Sequence, residues 1–176
     1  QVSRPPTFWI NIAIFVALFS IVSALLLEHV GGYLPCQLCL KQREAYYIGL
    51  TLMFTAHIFS NGKSRTSPLY VVFLMGLTFL VFVKSTYLGV QHSGVEWAWW
   101  EGPGGCGAID LAGNYDAKSL LDKIQSTKMV SCTEAALRIF GLSLAGWNAV
   151  ASALISILSF KGIVVAWKTR RRGNKD

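Results

Sequence analysis

A run of twenty residues near the start of the chain, Phe8 to Leu27, contains only three polar side chains, Asn11, Ser20 and Ser23. An α-helix needs about 20 consecutive apolar residues to cross the hydrocarbon core of a bilayer. Because unpaired backbone groups are costly in lipid, a run of this kind is restricted to a helix. The whole chain is 53% hydrophobic and only 14% charged, whereas soluble domains carry about 25% charged residues. The sequence therefore predicts an integral membrane protein.

Four such helices are predicted, and they form an all-α four-helix bundle within a single membrane domain that covers residues 1–176. The predicted spans are about 8–27, 43–59, 69–90 and 139–160, which leaves connecting loops at 28–42 and 91–138. The second run is short, so its first turns are expected to come from the segment that precedes it. The long loop is expected to hold a short amphipathic helix on the membrane surface, with one apolar face made by Ala117, Leu120, Leu121 and Ile124.

The basic residues are unevenly distributed between the two sides of the membrane. Four spans put both termini on the same side as the short loop 60–68, and this side carries nine of the sixteen Lys and Arg residues. Positive charge concentrates on the cytoplasmic side, so the termini are predicted to be cytoplasmic and the loops 28–42 and 91–138 to lie outside. All four cysteines then face an oxidising compartment. Membrane topology accounts for the net charge of +7, and nucleic acid is not expected as a partner.

Cys36 and Cys39 form a Cys-x-x-Cys pair just ahead of the second apolar run, directly after Pro35. Proline suits the first turn of a helix, so the pair is expected at a helix start with Arg43 further along the same face. A helix N-terminus and a nearby guanidinium both favour thiolate over thiol, and the thiolate is the form that attacks disulfides. We interpret the pair as a redox site in preference to half of a zinc site or a stabilising disulfide.

The other two cysteines, Cys106 and Cys132, are 26 positions apart in the long, glycine-rich loop. A relay between a fixed dithiol and a mobile one is one interpretation, because exchange requires a thiolate to reach a sulfur. A structural disulfide is the alternative, and closing 26 residues would contribute about 3.5 kcal/mol in the chain-entropy model. A four-cysteine zinc site normally needs two short-spaced pairs, so no metal is predicted.

The combination of four spans, a Cys-x-x-Cys pair opening the second, an arginine four residues on and a second pair in the long loop resembles the bacterial disulfide bond formation (DsbB) family. The resemblance covers the whole chain. It implies an enzyme of the bacterial inner membrane that reoxidises a periplasmic DsbA-like thioredoxin-fold oxidase. It also implies that the electrons pass to a membrane quinone, either ubiquinone or menaquinone.

The same resemblance implies a role for each matching residue. The Cys36 and Cys39 pair would lie next to the quinone, and the Cys106 and Cys132 pair would face the partner. Electrons would pass from the partner to the second pair, then to the first pair, and then to quinone. The residues that would contact the quinone are Cys39, Arg43 and His92. Gln42 stands where the family can carry an acidic residue.

A non-enzymatic four-span scaffold with two structural disulfides is the alternative function. Thiol trapping in membranes with and without quinone separates the two, because structural disulfides stay oxidised in both conditions. Asn148 is the one strongly polar residue of the fourth predicted span, and we expect it to hydrogen-bond to another helix.

Overall fold

The computed structural model describes residues 4–33, 35–61, 67–101 and 137–173. Within these ranges the chain forms α1 (Pro6–His29), α2 (Gln37–Ser60), α3 (Ser67–Glu96) and α4 (Leu144–Gly173), with a small hairpin of β1 (Arg138–Ile139) and β2 (Leu142–Ser143). The described part of the chain is therefore all-α apart from this hairpin. Cys106, Cys132 and the expected amphipathic helix at 116–124 lie outside the described residues.

The four helices pack in a ring in which α1 and α3 each contact both α2 and α4. Successive helices run in opposite directions, so the last turns of α1 and α3 meet the first turns of α2 and α4 at one end, which we call the cysteine end. Near this end α3 and α4 come very close, because a Cβ added at Gly89 would lie 2.9 Å from the backbone of Ala149. The absence of a side chain at Gly89 thus allows α3 and α4 to pack closely, so that polar side chains of the two helices can form hydrogen bonds with each other.

The bundle has large apolar side chains on its outside and many small or polar ones inside. Phe15, Phe19 and Phe73 are more than 60% exposed. Among the residues that the structure describes, the buried polar side chains are Gln42, Thr78, Ser85, His92, Ser143, Ser152, Ser156 and Ser159. This distribution is typical of helices that face lipid and use polar groups to hold one another. The buried apolar core includes Ile10, Met53, Met75, Phe82 and Ile155.

Three of the four helices are long and apolar enough to cross a membrane, namely α1, α3 from Pro68, and α4 as far as Arg171. The chain is therefore a multi-pass membrane protein. The helix α2 has 24 residues, but its first turns carry Lys41, Arg43 and Glu44. Its membrane crossing, and with it the count of four spans, stays a prediction.

The fourth helix begins at Leu144 and not at Ile139, where the apolar run suggested it would start. Residues 138–143 form the hairpin instead, because Phe140 and Gly141 both take positive φ values, 52° and 83°, as a two-residue hairpin turn requires. The hydroxyl oxygen of Ser143 then accepts a hydrogen bond from the Gly146 N–H and ends the hairpin as a helix cap. The other boundaries also differ, since α1, α2 and α3 extend into the segments assigned to loops.

Candidate active site

The dithiol Cys36 and Cys39 lies at the start of α2, where the sequence predicts it. Cys36 is the cap residue, with extended backbone, and its sulfur accepts a hydrogen bond from the Cys39 N–H at 3.3 Å. The two sulfurs are 3.0 Å apart, and Cys36 donates to the sulfur of Cys39. The two sulfurs are therefore in hydrogen-bonding contact, at a separation from which they can join as a disulfide when the pair is oxidised.

His92 reaches the dithiol from α3, although 56 positions separate it from Cys36 along the chain. Its Nε2 atom lies 3.6 Å from the Cys36 sulfur, and its side chain is buried. The third helix extends beyond the predicted span 69–90, because α3 continues to Glu96 and includes His92. The ring therefore has a fixed position on a helix and is not a solvated loop residue.

The environment raises the pKa of the Cys36 thiol from its ordinary value of 9.0 to about 12. The hydrogen bond with Cys39 is the largest cause and burial is the second, while the hydrogen bond with His92 acts in the opposite direction. The sequence suggested that the helix start would favour thiolate at both cysteines, and for Cys36 this is wrong. The hydrogen bond to Cys39 and burial both favour the protonated Cys36 thiol, and together they outweigh the stabilisation of a thiolate by the helix N-terminus.

The raised pKa predicts that alkylation of Cys36 in the reduced protein keeps accelerating up to about pH 12, because only the thiolate reacts. Cys39→Ala removes the largest cause of the shift, so the midpoint should move to lower pH. Each unit of that movement gives about tenfold more thiolate at neutral pH. Peptide mapping after a pH series of iodoacetamide labelling measures this, with denatured protein as the control. A midpoint at or below 9 in the folded protein would contradict the structure.

Gln42 forms hydrogen bonds both with His92, which contacts the dithiol, and with residues deeper in the bundle. Its Nε2 atom lies 3.3 Å from the Leu88 carbonyl oxygen and 3.3 Å from Nδ1 of His92. Asn148 donates to Oε1 of Gln42 at 2.8 Å, and the Tyr46 hydroxyl donates to Oδ1 of Asn148 at 2.7 Å. The expectation that Asn148 bonds to another helix is confirmed, and α2, α3 and α4 are joined at the level of His92.

Two hydroxyl groups extend this polar contact deeper into the bundle. The Tyr46 hydroxyl lies 3.4 Å from Ser152 Oγ, which lies 2.9 Å from Ser85 Oγ. Both serine side chains are buried. A buried hydroxyl needs a hydrogen-bond partner, so these contacts fix which faces of α2, α3 and α4 point toward one another.

Arg43 lies one turn beyond Cys39 in α2, and its guanidinium donates to the carboxylate of Glu28 in the last turn of α1. Both side chains are largely buried, with 15% and 24% exposed. An arginine has five N–H donors, so this pair leaves donors for a further acceptor. The ion pair also orients the guanidinium, which the sequence did not reveal.

Glu96 is a residue of the site that the sequence analysis missed. Its Oε1 lies 3.7 Å from Nε2 of His92, and both side chains are about 5% exposed or less. Glu96 Oε2 and Ser93 Oγ are buried and have no hydrogen-bond partner among the described residues. The signal was available in the spacing, since His92 and Glu96 are four apart and share a helix face. It was overlooked because the third helix was expected to end earlier.

A protein-family model described as "Disulfide bond formation protein DsbB" matches residues 6–161. The chain belongs to the DsbB family. The DsbB match covers α1, α2, α3 and most of α4, together with all residues of the site described above. Membership in the DsbB family identifies a membrane oxidoreductase that acts on disulfides.

The chain is also similar to an uncharacterized protein of Rickettsia prowazekii (strain Madrid E). The two are 25% identical over 155 residues, which cover 88% of this chain and 84% of that protein. No solved structure matches the chain. The similarity to the Rickettsia protein is consistent with a DsbB-like family but carries no function of its own.

Proposed function

We propose that this protein is a thiol:quinone oxidoreductase that reoxidises a periplasmic DsbA-like dithiol oxidase and passes the electrons to ubiquinone or menaquinone. The observation that carries the proposal is the Cys36 and Cys39 pair at the start of α2, whose sulfurs are 3.0 Å apart and whose Cys36 sulfur lies 3.6 Å from a buried histidine. The partner dithiol would be oxidised by Cys106–Cys132, and the resulting thiols would be oxidised by Cys36–Cys39. Each exchange forms one disulfide and reduces another, so no electrons are lost.

The two sulfurs of the α2 dithiol have different tasks. Cys36 donates a hydrogen bond to the sulfur of Cys39, so Cys36 keeps its proton and stabilises negative charge on Cys39 when the Cys39 thiol loses its own proton. Cys39 is therefore the sulfur best suited to give up electrons. His92 supports the negative charge that develops on Cys36 when its proton leaves. Oxidation of the pair releases two electrons and two protons and forms the Cys36–Cys39 disulfide.

The residues around the dithiol fit a quinone. Glu96 Oε2 and Ser93 Oγ are buried and find no hydrogen-bond partner within the described ranges, which leaves hydrogen-bonding capacity beside the dithiol that a polar ligand could use. Arg43 and His92 carry N–H groups, which are the donors that a quinone carbonyl oxygen accepts. When bound, a quinone would supply the two-electron oxidation. The chain would bind its oxygens, shield the thiols from water and deliver the protons.

Oxidation of a reduced thioredoxin-fold protein by the purified chain tests this proposal. With added quinone we expect many partner molecules to be oxidised per chain, and without it one or two. Thiol trapping in the same samples should show Cys36 and Cys39 reduced when quinone is withheld. If all four cysteines stay oxidised under both conditions, the chain is a scaffold with two structural disulfides.

We propose that the protein lies in the bacterial inner membrane with both termini in the cytoplasm and the cysteine end in the periplasm. The uneven distribution of basic residues supports this orientation. The alternating direction of the helices also supports it, because it puts the cysteine end opposite both termini. A reporter fused after Lys175 should read cytoplasmic, and one inserted near Ala112 should read outside. The reverse pattern would exclude exchange with a periplasmic partner.

A further inference from the structure

Three atoms at the cysteine end could in principle hold a metal ion. The sulfurs of Cys36 and Cys39 and a ring nitrogen of His92 all lie within 4.8 Å of one another. Two thiolates and an imidazole are ligands that Zn²⁺ prefers. The ring nitrogen near the sulfurs is Nε2, so it could bind a metal only if the proton of the neutral ring were on Nδ1.

The Leu88 carbonyl decides which way the Gln42 amide points. A carbonyl oxygen can only accept, so the Gln42 atom that lies 3.3 Å from it is the NH₂ group. The same nitrogen lies 3.3 Å from Nδ1 of His92. Since an amide NH₂ can only donate, Nδ1 must accept. The neutral ring therefore carries its proton on Nε2, the nitrogen that faces the dithiol.

Asn148 and Tyr46 keep the amide in this orientation. Asn148 donates to Oε1 of Gln42, and its own oxygen accepts from the Tyr46 hydroxyl. Reversing the Gln42 amide would place its oxygen against the Leu88 carbonyl and its NH₂ group against that of Asn148. Gln42 is only 5% exposed, so water cannot replace the lost hydrogen bonds. Each buried polar group left unsatisfied would destabilise the reversed orientation.

We propose that Gln42 is a positioning residue that holds His92 with its proton on Nε2, which makes the ring a hydrogen-bond donor to the Cys36 sulfur and a poor metal ligand. This inference rests on the proposed function, in which the dithiol is reduced in every cycle. A reduced dithiol beside an unprotonated imidazole nitrogen would offer three ligand atoms to a thiophilic cation. The proton on Nε2 occupies that nitrogen, and it stabilises negative charge on sulfur at the same time.

Gln42→Glu tests the inference, because a carboxylate can only accept and should draw the proton to Nδ1. The readout is the pair of ¹⁵N ring shifts of His92 in reduced protein labelled with ¹⁵N-histidine, at a mildly alkaline pH where an ordinary imidazole is neutral. His92→Gln identifies the signals among the three histidines of the chain. The wild type should show a protonated Nε2, and Gln42→Glu a protonated Nδ1.

Gln91→Glu is the matched control. Gln91 lies next to His92 in α3, is exposed, and donates to the Tyr87 hydroxyl. The substitution adds the same charge near the site without contacting Nδ1, so the wild-type ring shifts should persist. Gln42→Met removes the donor without adding charge and should give a mixture of both tautomers. It also serves as the second variant if Gln42→Glu does not fold.

Zinc affinity of the reduced protein gives a second readout. We expect Gln42→Glu to bind Zn²⁺ at least about tenfold more tightly than the wild type and Gln91→Glu, and to lose the gain when Cys39 is also replaced by serine. A protonated Nδ1 in the wild type, or equal Zn²⁺ affinity in all three proteins, would overturn the inference. Neither measurement needs quinone or partner, so a failure of the proposed oxidase activity would be seen separately.

Discussion

Cys39→Ser should abolish repeated oxidation of a DsbA-like partner, lowering the steady-state rate by on the order of 10³-fold or more. Serine cannot form a disulfide with Cys36, and it removes the sulfur that accepts the Cys36 hydrogen bond at 3.0 Å. Electrons that arrive from the partner then have no route to quinone. One equivalent of partner should still be oxidised rapidly, since Cys106–Cys132 is unchanged. Rapid-quench measurement of partner oxidation with excess quinone separates this first turnover from the steady state.

Cys132→Ser provides the complementary control, because it should stop the reaction at a mixed disulfide between the partner and Cys106. The complex would be detected on a non-reducing gel and mapped by mass spectrometry. Steady turnover by Cys39→Ser would contradict the role of the α2 dithiol. Loss of its first turnover, or a mixed disulfide at Cys36 in the Cys132→Ser protein, would mean that the second pair is structural.

Arg43→Ala should raise the KM for quinone by roughly 10- to 100-fold, because a charge-assisted hydrogen bond contributes about 1.5–3 kcal/mol. Arg43→Lys should fall between the alanine variant and the wild type, since lysine keeps the charge but not the planar fork. The measurement is the initial rate of partner oxidation against the concentration of a short-chain quinone in detergent. The thermal unfolding midpoint is recorded for each variant.

Glu28→Gln is the matched control for Arg43, because it breaks the ion pair that joins α1 to α2 while it keeps the guanidinium. If Arg43 binds quinone, Glu28→Gln should lower the unfolding midpoint with little change in KM. If Arg43 acts only by holding α1 against α2, the two variants should change KM and stability equally. Equal changes in the two variants would mean that Arg43 does not contact quinone.

Much of this protein could be predicted from local sequence. The membrane class follows from the run Phe8 to Leu27, because a chain segment in lipid must satisfy its own backbone hydrogen bonds and a helix does so with neighbouring residues alone. The start of α2 at the Cys-x-x-Cys pair is equally local, since Pro35 and the cap geometry act within one turn. The hairpin at 138–143 was missed because an apolar run gives no warning that Phe140 adopts a positive φ.

The site itself was decided by tertiary structure. Helical periodicity states which residues share a face, but not which face of another helix they will meet. Only the packing of α2, α3 and α4 brings Gln42, His92 and Asn148 together, and only this packing places the Gln42 amide of α2 against Nδ1 of His92 in α3. The raised pKa of Cys36 has the same origin, because burial and the hydrogen bond with Cys39 outweigh the helix terminus. Sequence determined which chemical groups are present, and helix packing determined which of them share protons.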